Sequence, residues 1–382
     1  MAFPTGWRKH EIKINPTNID ATLLNYTMLI TPDQLLPEVL DAGANSALNG
    51  GGDLRFSTDS AGANRVPCHV RELITNATEA NRKAIIKVNV PAVSTTVDTS
   101  LWVWYNKSGE VQPAVVNAFG RNAVYADEAF MLPLDESSGN GTAGEFADVT
   151  GNGYDAHLTT GASISGTTAN HPFGASWLDF TGAEALTLAG SASALDLSDV
   201  TISALQNTDN LSNLSALFGN WSYPSDAQYL QLQSNGRLRI KEAGGTDEVV
   251  AADVVTGTSQ LIHGVWDLSA DLKRYVDGGI SGTDEFLANA TGIAGGTDFK
   301  IGTYWNDEGS RRANARIGEV RGRKEALSAA YIKAEYINQF TPALFAVPVE
   351  AESPGDTLGT IFRGTIRLGT IRLASINIGT IK

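Results

Sequence analysis

The acidic side chains are the first candidates for chemistry, because hydrolysis of a glycosidic bond needs two carboxyl groups held across a cleft. Adjacent acidic pairs include Asp127-Glu128, Asp135-Glu136, Asp284-Glu285 and Asp307-Glu308. Neighbours on a strand point to opposite sides, so each pair reads as a solvated turn and none as a catalytic couple. No Gly-x-Ser-x-Gly elbow presents a nucleophile. His10, His69, His157, His171 and His263 lie in separate segments, without the His-x-x-x-His spacing of a zinc site. Each reads as a satisfied structural histidine. Cys68 is the single cysteine, which removes a disulfide framework and cysteine-based metal sites. The chain is not expected to be an enzyme.

Two constellations bear on binding instead. Calcium prefers oxygen from carboxylates, amides and carbonyls, and Asp148, Asn152 and Asp155 stand among the glycines of Asp148-Val149-Thr150-Gly151-Asn152-Gly153-Tyr154-Asp155. The same residues have a second reading, in which Asp148 and Asn152 cap a tight turn through side-chain-to-backbone hydrogen bonds. Aromatic rings pair an apolar face with a polar tip and so can stack on sugars. The loop-like Trp221-Ser222-Tyr223 and Tyr304-Trp305-Asn306 make Trp221, Tyr223, Tyr304 and Trp305 the glycan-binding candidates. Trp7, Trp102, Trp104 and Trp266 read as core.

The chain that must position these residues has 382 of them, enough for two or three domains. Hydrophobic residues make up 42 % and charged ones 18 %, which excludes a disordered chain. With 28 basic and 42 acidic residues the net charge is −14, so nucleic acid is not an expected partner. The N-terminus shows no signal-peptide pattern, which leads us to expect synthesis in the cytoplasm of the producing cell. No window approaches the ~18 apolar residues of a membrane span, so membrane insertion is not expected either.

Glycine at 39 positions and abundant Thr, Ser, Asn and Asp point to a turn-rich all-β protein. Alternating segments such as Ala84-Ile85-Ile86-Lys87-Val88-Asn89-Val90 and Ser100-Leu101-Trp102-Val103-Trp104-Tyr105 read as half-buried strands. Gln228–Gln233 and Arg237–Lys241 alternate on either side of Ser234-Asn235-Gly236, a hairpin signal. One helix is predicted over Ala326–Asn338, with Asn338 closing it and one face covering a sandwich edge.

From Gly359 the sequence falls into pentads with a small residue first and isoleucine third. The apolar residues expected to carry the association are Ile361, Ile366, Leu368, Ile371, Leu373, Ile376, Ile378 and Ile381. A few short repeats cannot bury their own apolar faces, so this tail is expected to oligomerise or to dock on another protein. Arg363, Arg367, Arg372 and Lys382 against Glu352 and Asp356 give residues 351–382 a net +2, and the rest of the chain −16.

Gly6-Trp7-Arg8-Lys9, Gly52-Asp53-Leu54-Arg55-Phe56 and Thr99 through Asn106 resemble a β-sandwich domain of unknown function from bacterial surface and phage proteins. Further on, Ala129–Glu136, the Asp148–Ala156 turn, Leu178–Gly182, Leu197–Ser203, Gly264–Asp267, Tyr275–Gly278 and Ile317–Arg321 follow in order. That series resembles a laminin-G-like, concanavalin A-like jelly roll. The resemblance implies two consecutive sandwiches, residues 1–126 and 127–345, followed by a linker and pentad-repeat tail at 346–382. Laminin-G-like domains sometimes hold calcium near the Asp148 turn, which makes calcium the one implied cofactor. The Glu-x-Asp-x-x-Glu string of glucanases with this broad fold does not occur.

Two recognition modules, no export signal and a repeat that must associate together imply a bacteriophage virion protein. A tail fibre, tail-tip appendage or head decoration fits, with a homo-oligomer (a trimer first), other virion proteins and a host-surface glycan as partners. A bacterial carbohydrate-binding lectin is the alternative, and a polysaccharide hydrolase or lyase the third reading.

Overall fold

The computed structural model describes residue 3, residues 6–191, 199–211, 215–222, 226–232, 237–241, 248–267, 272–281, 298–303 and 312–349. Contacts divide the chain after Glu350, and the described residues all belong to the body that precedes this point. The pentad residues lie outside the described region.

Strand Arg8–Ile14 shows why the first sandwich forms. Its Ile12 and Ile14 are fully buried while Glu11 and Lys13 face outward, the period of two that a pleat imposes. A five-stranded antiparallel sheet runs Ala346–Val349, Arg8–Ile14, Thr99–Tyr105, Arg55–Ser57, Arg65–Val66. A three-stranded sheet, Leu23–Ile30, Lys83–Val93 and Cys68–Ile74, packs over it. Tyr26, Met28 and Ile30 meet Ile86, Val88, Leu101 and Val103 in the core between them.

The second sandwich pairs a nine-stranded sheet with a seven-stranded one around Phe130, Phe180, Ile202, Phe218, Ile262, Trp266 and Ile317. In the larger sheet Asn314–Arg323 lies between Asp199–Thr208 and Trp177–Thr181, and its second half also pairs with Glu128–Leu132. In the smaller sheet Leu230 faces Ile240 across the hairpin that the alternation predicts. The all-β expectation holds, with two sandwiches, the second of them the jelly roll.

The chain's last described strand departs from the sequence reading. Ala346–Val349, placed in the linker, pairs with Arg8–Ile14, with Ile14 opposite Ala346 and Glu11 opposite Val349. The helix differs as well. It runs Ala329–Phe340, capped by Ser328, whose side chain accepts from Tyr331 N. Asn338 does not close it. It is buried, its Oδ1 accepts from Leu29 N at 2.7 Å and its Nδ2 donates to Leu29 O at 2.8 Å, clamping the helix to strand Leu23–Ile30. Leu327, Tyr331, Ile332 and Phe345 complete the first sandwich's core, and Val265 and Tyr275 of the jelly roll join that cluster. The helix therefore sits between two sandwiches rather than over one edge.

Candidate functional site

Three places compete for a functional role: the Asp148 turn, the aromatic loops, and a buried ionic seam between the sandwiches. The turn comes first. Asp148 is buried, and its two carboxylate oxygens accept from Met131 N, Thr150 N, Thr150 Oγ1 and Tyr154 N at 2.8–3.2 Å. Asp155 Oδ1 accepts from Asp148 N, and Asn152 Nδ2 donates to the carbonyls of Glu128 and Ala129. These are the bonds of the capping alternative. A calcium ion taking Asp148 as ligand would compete with four protein donors. Among the described residues, no three His, Cys, Asp or Glu side chains gather to hold a metal ion.

Of the aromatic candidates, Trp221 lies on strand Ser215–Ser222, its backbone opposite Ala227. Tyr223, Tyr304 and Trp305 lie outside the described residues, as do Asp284-Glu285 and Asp307-Glu308.

The seam is what sequence reasoning missed. It begins with a β-bulge in Asn314–Arg323. Ser203 pairs with Arg321 but Leu205 with Gly318, so Glu319 and Val320 together oppose Ala204. Glu319 takes the left-handed conformation at φ 49° and its N–H bonds Pro133 O. The extra residue resets the alternation. Ile317 and Val320 both enter the jelly-roll core, while Arg321 and Arg323 turn to the outer face, where the first sandwich and the helix cover them.

Three ion clusters result. Glu319 receives Lys87 Nζ at 2.8 Å and Arg71, which also binds Asp135 at 2.7 Å. Glu335 of the helix receives Arg321 and, at 3.0 Å, His263. Arg323 meets Glu128 and Asp127, both at 3.4 Å, and Glu325 at 2.6 Å. Tyr331 Oη accepts from Arg323 and from Thr27 N, tying helix to strand. The reading of adjacent acidic pairs as solvated turns is thus corrected for Asp127-Glu128, where Glu128 lies on a strand and is buried against Arg323; Asp135 stays exposed in its loop and pairs with Arg71.

Burial raises the Glu319 carboxyl, but Lys87 and Arg71 outweigh it and hold it at about 2. Glu335 behaves alike: burial is overcome by Arg321 and His263, and its carboxyl falls well below the usual range. Burial also lowers His10 to about 4 and His171 to about 3. His171 packs edge-on to Phe173, and both of its ring nitrogens are buried without a hydrogen-bond partner among the described residues, so within these it is not the satisfied residue expected.

These shifts share one sign. The unfolded chain takes up protons at the histidines below about pH 6.5 and at Glu319 and Glu335 below about 4.5, where the fold does not. The contribution of these groups is therefore full above about pH 7, begins to fall near 6.5 and falls further from 4.5 toward 2, with Glu128, Glu136 and Asp277, whose carboxyls burial raises, opposing the last part. Urea midpoints should decline by roughly half between pH 7 and pH 3; a flat profile over that range would show the seam to be electrostatically idle.

Residues 180–333 match the model of the concanavalin A-like lectin/glucanases superfamily. No curated protein sequence matches the chain. Among solved structures, domain 4 of AbnA, a GH43 extracellular arabinanase from Geobacillus stearothermophilus solved with arabinotriose, aligns with 54 % of this chain and 97 % of its own at 16 % identity and TM-score 0.41. The binding domain of Paraclostridial Mosquitocidal Protein 1 aligns over 56 % of this chain and 52 % of its own at 14 % identity and TM-score 0.43. Trypanosoma rangeli sialidase aligns over 70 % and 42 % at 12 % identity and TM-score 0.42. The chain thus spans about half the length of the second and less of the third. With its strands, its order of pairing and the match of residues 180–333 together, the chain carries a concanavalin A-like jelly-roll domain of the lectin and glucanase type.

Proposed function

We propose that the protein works by binding and assembly rather than turnover. In this reading it is a structural or adsorption component of a virion, made in the host cytoplasm, whose jelly roll contacts a host-surface glycan. Trp221, Tyr223, Tyr304 and Trp305 form the glycan contact, and the pentads from Ile361 to Ile381 join copies of the chain, or dock it on a neighbour in the particle. The observation that carries the non-catalytic reading is the state of the seam's carboxylates. Glu319 and Glu335 are kept ionised by cations of the same chain, which suits a rigid mount and leaves neither as a general acid.

Native mass spectrometry of the full chain and of a chain lacking residues 355–382, with glycan-array binding and a reducing-end assay, tests this. The full chain should be oligomeric, the shortened one monomeric, and array-positive glycans should remain uncut. Trp221→Ala should weaken array binding about tenfold, as for a lost stacking contact. Release of reducing ends would move the protein to the hydrolases. A monomeric full chain would remove the role of the pentads in joining copies of the chain.

A further inference from the structure

The outer face of the five-stranded sheet is unlike the rest of this acidic chain. Its alternate positions carry Lys9, Trp104 and Arg55 in one row, in register across three strands, and Glu11, Trp102, Ser57 and Arg65 in the next. Trp7 and Trp102, expected in the core, belong to this outer layer and are only half-buried, whereas Trp104 between them is buried as expected. Four of the face's side chains are cations, Lys13 among them, on a chain of net charge −14.

Arg65 is the centre. Its guanidinium lies 4.8 Å from the ring centre of Phe3 and 4.5 Å from that of Phe119. Gly62 makes room for Phe3: at φ 70°, a Cβ there would stand 2.2 Å from Phe3 Cδ2. Rings on a guanidinium's faces leave its in-plane edge for hydrogen bonding, the geometry that matches a carboxylate. Yet Arg65 has no ion pair and no hydrogen-bond acceptor among the described residues, while Arg55 has Glu110, Arg71 has Glu319 and Arg323 has Glu128. Lys9 likewise has no carboxylate among them. Its ammonium sits 4.9 Å over Trp102 and 5.0 Å over Trp104 and donates to Ser60 O.

We propose that this face, through the edge of Arg65 with Lys9 beside it, binds a carboxylate-bearing glycan. The ordering cost of the arginine is already met by the rings, so the anion meets a fixed fork. A glycan fits better than an acidic peptide for a geometric reason. A peptide commonly adds a strand to an open sheet edge, and the edge beside Arg65 is a strand of two residues, Arg65–Val66. Trp104 and Arg55 are covered, and what reaches the surface is a row of half-buried rings and cations, Trp7, Lys9, Trp102, Arg65 and Phe119, along which a sugar polymer can lie. This site is on the first sandwich and does not depend on the jelly-roll reading.

Titration of the full chain with a short oligogalacturonate, followed by tryptophan fluorescence and calorimetry, tests it. The acid should bind, its fully methyl-esterified form should not, and added sodium chloride should weaken binding. Arg65→Met should lower affinity about tenfold or more, the fold-change of a lost charge-assisted hydrogen bond. Arg65→Lys, which keeps charge but not the fork, should fall between. Lys9→Met gives an independent reading should Arg65→Met fold poorly. Equal binding of the ester, or unchanged affinity in both the Arg65→Met and Lys9→Met chains, overturns the proposal. So does loss of binding in Trp221→Ala with Arg65→Met unaffected, which would assign the acid to the jelly roll. Polyglutamate outcompeting the oligogalacturonate would make the partner an acidic polypeptide, and self-association abolished by Arg65→Met would make it a second copy; either result also overturns it.

Discussion

Glu319→Ala should destabilise the fold by about 3–5 kcal/mol, the usual effect of leaving a buried charge without its partner. Lys87 loses its counter-ion and Arg71 keeps only the exposed Asp135, while the two cationic side chains are themselves 2 % and 3 % exposed. Glu319 also holds a left-handed backbone at φ 49°, which adds a second source of strain for any residue but glycine. Glu319→Gly separates the two: it relieves the backbone and still removes the charge. If charge dominates, the glycine and alanine chains will have similar urea midpoints. A triple replacement of Arg71, Lys87 and Glu319 by apolar residues of similar size should do less harm than Glu319→Ala alone. A loss within about 1 kcal/mol for Glu319→Ala would mean that water reaches the seam and screens it.

The second large effect concerns the domain boundary. A chain of residues 1–126 alone should not fold, although the sequence reads as a separate sandwich there. Leu327, Tyr331, Ile332 and Phe345 are buried in its core, and Ala346–Val349 supplies the edge strand beside Arg8–Ile14. At ~1.5–3 kcal/mol for each large apolar side chain, the four contribute roughly 6–12 kcal/mol. That rivals the ~5–15 kcal/mol by which whole domains are stable. Circular dichroism and amide dispersion should show an unfolded or molten chain, and a tandem carrying residues 326–349 on a flexible linker should recover a cooperative melt. A sharp transition from residues 1–126 by themselves would refute the shared core.

Much of the fold is legible from period alone. The alternation of Arg8–Ile14 and the helical spacing around Tyr331 and Ile332 each name an element and its buried face, and the alternation of Gln228–Gln233 and Arg237–Lys241 names two paired strands. The seam is not legible, for a reason visible at Lys87. In Ile86-Lys87-Val88-Asn89-Val90 the period correctly places Lys87 opposite the core. It cannot tell that another sheet covers that opposite face, so a lysine that reads as solvated is 2 % exposed. The partner is equally hidden. Glu319 stands 232 residues away and reaches Lys87 only because a bulge shifts the strand's phase by one. A usable signal exists in Glu319-Val320-Arg321-Gly322-Arg323, three charges at alternate positions of a strand whose other side is apolar. Such a stripe inside a large β-protein marks a face that is charged and covered. The Arg65 face misleads in the opposite sense, since tryptophan at alternate positions suggests a core and here lies under cations.

The pairing of Arg8–Ile14 with Ala346–Val349 has a mechanical consequence. The two strands are antiparallel, and the outer ends of the described body, near Arg8 and Val349, leave from the same end of that ladder. Tension applied between them would peel the ladder one hydrogen bond at a time, instead of shearing all its bonds together. Until the ladder opened, the jelly roll would hang as a side branch off the line of force, unloaded. A protein pulled at its ends would yield first at this zipper, and the jelly roll would keep its shape while it gave way.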